Sequence, residues 1–366
     1  MPPPSTWHLT VPVVDRWFER RWARLVRQAS VMSPEEHAAA VTDPRRRHAR
    51  IEVPIPCAVC GGTRLQKLLH VYDRARAKPR WNYHVVRCAD CGFLYRHPGI
   101  RPERLGDLYA GGKYNEFLAG EYSGERVRRY EVTMAPFGAL FESGHGRRLL
   151  DFGCGNGLFL DIAYERGFEC YGVDLAHDAV EAARRKPSGR HAHHGAPYEI
   201  PEIAAGGFHV ITLWSVLAHL ARPIDDLTML RRLLTPDGVL LILTVNADSL
   251  ALKRWLDRWG GFTRNHLLFS SPRTLPLLLR RAGFGAVVTP PWYGEPVERG
   301  ASQLGPRAQR RLRRRVDRAN RGNMLRAVAF ADPDGPREWG LEEHCQRLTA
   351  RSAGPEMASA RPGPDR

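Results

Sequence analysis

Short apolar segments alternate with amphipathic ones along the middle of the chain, which is the pattern of an α/β domain. Strands are predicted at 149–152, 168–173, 191–194, 208–214, 239–245, 284–289 and 323–330. Helices are predicted between them at 156–166, 176–185, 225–234 and 271–282. We therefore expect a seven-stranded, doubly wound sheet with helices on both faces.

The N-terminal part of the chain follows a different pattern. Residues 13–29 place apolar side chains such as Val14, Phe18 and Leu25 at helical spacing, with Arg on the opposite face, which predicts an amphipathic helix. A basic helix that also carries tryptophan either packs on its own protein or a twin subunit, or lies on a membrane surface. Residues 64–71 and 81–87 have the alternation of strands.

These patterns divide the chain into five parts. The predicted bounds are 1–50 for an N-terminal arm, 51–98 for a small module, 99–130 for a Tyr-rich connector, 131–330 for the α/β domain and 331–366 for the tail. The α/β domain includes an Arg-rich insertion at 306–322. The tail has many Pro, Gly and charged residues and little to bury, so we expect it to be disordered.

A glycine-rich turn follows the first predicted strand of the α/β domain. In RRLLDFGCGNG the strand runs directly into Gly153, Gly155 and Gly157, which allow backbone N–H groups and a helix N-terminus to approach a ligand. Asp174 ends the next strand about 20 residues later, where Rossmann-like folds place the carboxylate that holds ribose hydroxyls. A nicotinamide fingerprint would have its third glycine one residue later, where this chain has Leu158.

These motifs resemble those of the class I S-adenosylmethionine-dependent methyltransferases. LLDFGCGNG is similar to the family's first motif and GVD to the acidic end of its second strand. FHVITLWSVLAHL is similar to its fourth strand, and LRRLLTPDGVLLI to its fifth strand with the preceding turn. The resemblance covers residues 120–330 and implies a Rossmann-like sheet that binds S-adenosylmethionine. A doubly wound domain for another nucleotide, or for none, is the alternative.

The resemblance also implies roles for individual residues. The three glycines would lie against the methionine end of the cofactor, and Asp151 would orient its amino group. Asp174 would hold the ribose hydroxyls, and Leu175 would flank the adenine. The structural alternative for Asp151 is a cap at the strand-to-turn junction.

Four of the seven cysteines are paired by their spacing. Cys57 and Cys60 form one CxxC pair, Cys88 and Cys91 form another after 27 intervening residues, and a glycine follows each pair. This pattern predicts a structural zinc site in a zinc-ribbon-like module, although the interval is longer than usual. A disulfide framework is not expected in a reducing cytoplasm. The remaining cysteines are not expected to be metal ligands: Cys154, Cys170 and Cys345.

The paired CxxC motifs, the Tyr-rich connector and the glycine turn together resemble a bacterial methyltransferase subgroup with an N-terminal zinc module. Its members are often linked to deoxysugars, surface polysaccharides or secondary metabolites, which implies a small-molecule or sugar-type acceptor. Many relatives have a Glu-His pair after the fourth strand, where this chain has Ala218-His219. His219 is thus a candidate general base, and His266 lies where the subgroup often places a histidine near the acceptor. A purely structural role is the alternative for each.

Other histidines are weaker candidates for function. His209 replaces an Asp that is usual at the start of the fourth strand, which is expected to weaken a local hydrogen bond. His191 and His193 share one face of a predicted strand, but no carboxylate partner is evident from the sequence. A metal site there is therefore not the favoured interpretation.

The net charge of +16 is concentrated rather than uniform. Only 5 of the 55 basic residues are Lys, and residues 306–326 hold nine Arg against one Asp. A solvated helix is the favoured interpretation of the Arg-rich segment, and an anionic acceptor or RNA would also suit it. The longest apolar stretch, 239–245, is far shorter than the ~18 residues of a membrane span. The N-terminus has no secretion pattern, so a cytoplasmic location is expected.

The sequence therefore predicts an S-adenosylmethionine-dependent methyltransferase with a structural zinc ion and a small-molecule or sugar-type acceptor. An RNA methyltransferase that grips RNA with the zinc module and the Arg-rich helix is the first alternative. A non-catalytic protein that binds the cofactor as a scaffold is the second.

Overall fold

The computed structural model describes residues 11–33, 35–36, 52–53, 55–72, 82–109, 127, 130–131, 133–142, 144–285, 287–288, 307 and 321–332. The linker at 43–50, most of the connector after Tyr109 and almost all of the Arg-rich insertion lie outside these residues. The tail beyond Asp332, which includes Cys345, also lies outside them.

The N-terminal part contributes one long helix and five strands. Helix α1 covers Val11–Gln28, within two residues of the predicted bounds. The strands are β1 (Glu52–Val53), β2 (Leu65–Tyr72), β3 (Asn82–Cys88), β4 (Leu94–His97) and β5 (Gly99–Ile100). β2, β3 and β4 form an antiparallel sheet, and β1 pairs with β5 in a separate two-stranded ribbon.

The rest of the described chain alternates strands and helices. The strands are β6 (Arg148–Phe152), β7 (Glu169–Asp174), β8 (His191–His194), β9 (Phe208–Trp214), β10 (Leu234–Val245), β11 (Leu268–Phe269), β12 (Val287–Val288) and β13 (Met324–Phe330). The helices are α2 (Gly138–Phe141), α3 (Leu158–Tyr164), α4 (His177–Arg184), α5 (Pro201–Ala204), α6 (Pro223–Leu233), α7 (Leu250–Trp255) and α8 (Thr274–Arg281).

Seven of these strands form the central sheet in the order β12-β13-β10-β9-β6-β7-β8. The five strands from β10 to β8 run parallel, and β13 lies antiparallel between β10 and β12. The strand order reverses direction at β6, so the crevice at the carboxyl ends of β6 and β9 is the position where such sheets bind ligands. The predicted α/β class and seven-stranded sheet are confirmed.

Apolar residues on alternate positions of the parallel strands bury both faces of the sheet. Leu150 and Ile211 belong to the core on the face covered by α6 and α8. Leu149 and Val210, one residue earlier in each strand, belong to the core on the face covered by α3 and α4. Because successive strand residues point to opposite faces, runs that are apolar throughout specify a sheet with helices on both sides.

The N-terminal module is continuous with the α/β domain. Strand β11 lies between α7 and α8 in sequence but pairs antiparallel with β4, so the module sheet has the order β11-β4-β3-β2. A shared apolar core joins the two parts and includes Val85 of β3, Leu252 of α7 and Phe269 of β11. The sequence pattern did not predict this sharing, since it treated the module as a separate unit.

Helix α1 packs against α7 and β2 through its apolar face, where Phe18, Trp22 and Leu25 contact the shared core. Its Glu19 carboxylate accepts hydrogen bonds from the Lys253 ammonium group of α7 at 2.9 and 3.1 Å and also pairs with Arg321. The Lys253 side chain is only 3% exposed, so its charge depends on Glu19 and on its second partner, Asp248.

Replacing Glu19 tests how firmly α1 is held. Glu19→Gln should lower the free energy of unfolding by about 1–2 kcal/mol, because the buried Lys253 ammonium group then keeps only the Asp248 carboxylate as a charged partner. The partial exposure of Glu19 limits the size of the effect. Glu36→Gln, which removes an exposed pair with Lys67, is the control and should change it by less than ~0.5 kcal/mol. Urea denaturation measures both, and equal effects would contradict this account of the docking of α1.

Candidate functional site

The glycine turn after β6 requires a backbone that only glycine adopts readily. Gly153, Gly155 and Gly157 have φ values of 83°, 53° and 79°. A Cβ atom on Gly153 would lie 2.4 Å from Cγ2 of Val216, in the loop after β9. The turn is therefore pressed against that loop, and its backbone is close to the crevice between β6 and β9.

The Asp174 carboxylate lies at the carboxyl end of β7 and is held by the backbone on both sides. Oδ2 accepts a hydrogen bond from the Gly155 N–H at 2.9 Å, and Oδ1 accepts one from the Ala176 N–H at 2.8 Å. Burial raises the pKa of this carboxyl, and these N–H donors oppose the shift. The Leu175 N–H also bonds to this carboxylate. A carboxylate offers about four acceptor positions, so acceptor capacity remains for a hydroxyl ligand. Leu175, the next residue, is 42% exposed.

Asp151 lies within β6 and is almost fully buried. Its Oδ1 accepts a hydrogen bond from the Thr212 hydroxyl of β9 at 2.6 Å. Burial, with a smaller contribution from the negative charge of Asp174, raises the pKa of Asp151 to about 7. A buried carboxylate with this pKa favours a cationic partner, because a positive charge would stabilise its ionised form.

A cluster of two histidines and one tyrosine occupies the other side of the crevice. The His219 and His266 rings lie 4.7 Å apart, edge to face. His219 Nδ1 is 2.8 Å from the Tyr109 hydroxyl, and His266 Nδ1 is 2.6 Å from the Gly261 carbonyl oxygen. A carbonyl can only accept, so His266 Nδ1 carries the proton and its Nε2 is left with a lone pair.

Both imidazoles are held in the neutral form. Burial, together with the neighbouring His266, lowers the pKa of His219 to about 3. Burial also lowers the pKa of His266, against the opposing effect of the Gly261 carbonyl. Burial, and then the charge of Asp174, raise the pKa of Tyr109, so the Asp174 carboxylate lies within electrostatic range of the Tyr109 hydroxyl.

Two residues of this region were not predicted as site residues. Tyr109 orients His219 from the connector, 110 positions away, so no local pattern links them. Ser215 has a left-handed backbone with φ of 63° directly after β9, and it is exposed beside the glycine turn. A strained residue at the end of a parallel strand is a common feature of functional sites.

The other histidines have structural partners, and one expectation about them was wrong. His209 Nδ1 accepts a hydrogen bond from the Arg148 N–H at 3.1 Å, and the weakening expected from the loss of Asp stays a prediction. His191 and His193 do have a carboxylate partner: Glu202 of α5 is 3.0 Å from His191 Nδ1 and also pairs with His193. Glu202 comes from a different element, which is why the strand alone did not reveal it.

The four paired cysteines meet at one point of the module. The Sγ atoms of Cys57 and Cys91 are 3.4 Å apart, as are those of Cys60 and Cys88, and the four lie within 4.8 Å of one another. Four sulfurs around zinc at about 2.3 Å would be separated by about 3.8 Å, which this cluster approximates. In the described part of the chain this is the one cluster with metal-ligand geometry.

Glycines shape the two loops that carry these cysteines. Gly61 and Gly92 have φ values of 75° and 80°, and their N–H groups donate to the carbonyls of Cys57 and Cys88 at 2.7 and 3.0 Å. Each CxxC segment thus forms a tight turn that directs two sulfurs to the same side. Cys154 and Cys170 are buried in the α/β core and are not part of the cluster.

Comparisons with known proteins agree with this geometry. A family model described as a methyltransferase domain matches residues 123–288. The "Ubiquinone biosynthesis O-methyltransferase" of Ruegeria sp. is 30% identical over 189 residues, which cover 47% of this chain and 70% of that protein. The chain belongs to the class I S-adenosylmethionine-dependent methyltransferase family.

Other relatives are similar to this chain over shorter lengths. The "Ubiquinone biosynthesis O-methyltransferase" of Cereibacter sphaeroides is 32% identical over 152 residues, 39% of this chain and 62% of that protein. The "tRNA U34 carboxymethyltransferase" of Aliivibrio salmonicida is 31% identical over 38% of this chain and 44% of its own length. The family is therefore shared by proteins named for different acceptors. No helix in the described segments has the length and apolarity to cross a bilayer.

The pKa of Asp151 gives a pH-dependent prediction for the ligand-free protein. In the native state the Asp151 carboxyl group stays protonated up to about pH 7, whereas in the unfolded chain it loses its proton near pH 3.8. The native state therefore binds more protons than the unfolded state between these pH values, and its stability increases as the pH falls. The free energy of unfolding of wild type minus that of Asp151→Asn should therefore rise as the pH falls from 8 to 5. The slope should approach ~1.4 kcal/mol per pH unit.

Chemical denaturation at several pH values measures this difference. Asp178→Asn, which removes an exposed carboxylate, is the matched control for the loss of one carboxyl group. A wild-type minus Asp151→Asn difference that is constant with pH would contradict the elevated pKa.

Proposed function

We propose that this protein transfers a methyl group from S-adenosylmethionine to a hydroxyl oxygen of a small-molecule or sugar-type acceptor. The observation that carries the proposal is the pairing of two half-sites across one crevice. The glycine turn and Asp174 form a nucleoside half-site, and the neutral histidine pair His219–His266 forms a proton-accepting half-site. Family membership supports the donor, and the names of the O-methyltransferase relatives favour a hydroxyl acceptor.

The donor half-site fits the proposed cofactor. The Asp174 carboxylate keeps acceptor capacity for the ribose hydroxyls, and the exposed Leu175 side chain can cover the adenine. The three glycines leave the backbone bare next to the methionine portion. Asp151 would bind the amino group of the cofactor. The positive charge of that group would stabilise the ionised form of Asp151, which burial disfavours.

The chemistry needs little from the protein beyond placement and proton removal. S-adenosylmethionine, when bound, supplies a methyl group already activated by its sulfonium charge. The crevice residues hold donor and acceptor in line and exclude water, which lowers the entropy cost of their encounter. The acceptor hydroxyl loses its proton as it attacks, and a neutral imidazole must receive it.

His266 is the proposed general base, and His219 is its positioning partner. The His266 Nδ1 proton is donated to Gly261, so Nε2 is the free acceptor. His219 is a weaker base, since its pKa of about 3 is far below that of an ordinary histidine. Its hydrogen bond to Tyr109 fixes the ring that packs edge to face against His266.

The four-cysteine cluster is proposed to hold a structural zinc ion. Four sulfurs and no open position suit a structural rather than a catalytic metal. Burial raises the pKa of Cys91 to about 11, and a divalent ion in the cluster would offset that cost by stabilising the thiolate. The cluster lies in the module, apart from the Asp174 crevice, so no step of methyl transfer is assigned to it.

The acceptor class is tested by following a labelled methyl group. Protein and labelled S-adenosylmethionine are added to fractions of a host-cell lysate, with and without ribonuclease. Label should appear in a ribonuclease-resistant small-molecule or glycan fraction, for example surface-polysaccharide or secondary-metabolite precursors. Label that is lost on ribonuclease treatment would contradict the proposed acceptor and favour RNA, the acceptor class of the Aliivibrio relative's name.

Variants separate the two half-sites in the same assay. Asp174→Ala should abolish cofactor binding by calorimetry and all transfer, because the ribose hydroxyls lose their acceptor. His266→Asn should keep cofactor affinity within about twofold and lower kcat by about 10²–10⁴-fold, the usual contribution of a general base. Binding of the cofactor by wild type with no transfer to any fraction would favour the scaffold alternative.

A further inference from the structure

We infer that the N-terminal module positions the acceptor-side histidine, with Tyr83 and Arg96 as the positioning residues. This inference rests on the proposed function, because it assigns the module a role at the same crevice. The module thereby acts on the acceptor half-site and not on the donor half-site.

The segment that carries His266 is tied to the module by three hydrogen bonds. The Tyr83 hydroxyl of β3 donates to the Thr263 carbonyl at 2.9 Å. Arg96 of β4 donates twice, from Nη1 to the Arg264 carbonyl at 2.9 Å and from its backbone N–H to the Leu267 carbonyl at 2.7 Å. These acceptors flank His266 on both sides, so the backbone around it is fixed from the module.

Arg96 is built into this junction as a buried cation. It is 1% exposed, its guanidinium lies 4.8 Å from the Tyr83 ring centre, and its Nε donates to the Pro98 carbonyl at 3.2 Å. A buried guanidinium must satisfy its donors with fixed acceptors, since an unpaired buried charge is very costly. The carbonyl of Arg264 is therefore held at a defined place as one of the acceptors that this buried guanidinium requires.

The same segment is tied on its other side to the loop that carries His219. The Leu267 N–H donates to the Ala218 carbonyl at 2.6 Å, next to His219. The chain then continues into β11, where Leu268 pairs with Tyr95 and Phe269 pairs with Leu94. The His266 segment thus lies between the module sheet and the β9 loop, and both sides set the contact between the two histidine rings.

The cysteine cluster lies at the base of the same two strands. β3 ends at Cys88, whose N–H donates to the Phe93 carbonyl at 2.9 Å at the start of β4. Tyr95 belongs to the same buried cluster as Cys57 and Cys88, and its backbone pairs with Leu268 in the segment after His266. β4 therefore joins the surroundings of the cysteine cluster to the His266 segment.

Among the described residues, no hydrogen bond links the donor half-site to the module. Gly153, Gly155 and Asp174 are held by β6, β7 and the loop after β9, through bonds within the α/β domain. Loosening of the module contacts should consequently change the acceptor side while the cofactor still binds. This asymmetry separates a positioning role from general stabilisation.

Hydrogen exchange of the zinc-loaded, full-length protein tests the inference without any turnover. Tyr83→Phe and Arg96→Met should accelerate amide exchange in residues 262–270 at least tenfold, with exchange in residues 151–157 and 172–176 unchanged. Lys67→Met is the matched control, because it removes a cation of β2 that pairs with Glu36 and not with the His266 segment. It should leave amide exchange unchanged in residues 262–270 and in the donor half-site. Each protein should hold about one zinc and bind S-adenosylmethionine with unchanged affinity.

A second readout reports on His266 itself. The imidazole signal of His266, followed by NMR across pH 4–8, should titrate at a higher pH in Tyr83→Phe, because water then reaches a ring whose pKa burial lowers in the wild type. The Tyr83→Phe variant keeps the ring and the buried charge of Arg96, so it tests the inference even where Arg96→Met fails to fold.

Unchanged exchange in 262–270 and an unchanged His266 titration in Tyr83→Phe would overturn the inference. Uniform acceleration across the α/β domain would also overturn it, since it would show general destabilisation. Failure of the proposed function looks different, because wild type would then transfer no methyl group while its exchange pattern still depended on Tyr83.

Discussion

The parallel arrangement of β6, β7 and β9 is the constraint on which the candidate site depends. Parallel strands end at the same edge of a sheet, and the strand order reverses at β6, so a crevice opens between the ends of β6 and β9. The glycine turn, Asp174 and the His219 loop each follow the carboxyl end of one of these strands. They meet because of topology, even though 66 positions separate the first glycine from His219.

The crevice has two electrostatically different sides. On one side, buried carboxylates with raised pKa values favour a ligand that carries positive charge and hydroxyl donors. On the other, burial lowers the pKa of both imidazoles, and His266 Nε2 keeps a lone pair while His219 is bonded to Tyr109. A cationic donor next to a neutral proton acceptor is the arrangement that the proposed methyl transfer requires. In the described part of the chain, the N-terminal module is tied to the second side through the β4–β11 pairing.

Features that depend on local pattern could be predicted from the sequence. The bounds of β8 and β9 agree with the alternation and apolar runs, and the glycine turn and both CxxC turns have the positive φ angles that their glycines suggested. Features that depend on long-range pairing could not be predicted. The link from Tyr109 to His219, the partnership of Glu202 with two histidines and the addition of β11 to the module sheet each join distant elements. Periodicity carries no information about such partners.

The most direct test of the central claim is a crystal structure of the protein with S-adenosylhomocysteine. The account predicts both ribose hydroxyls within hydrogen-bonding distance of the Asp174 carboxylate, with the ligand's amino group near Asp151. It also predicts that the sulfur faces the crevice that holds His266. A nucleoside bound elsewhere, or a sulfur that faces away from the histidine pair, would contradict the account.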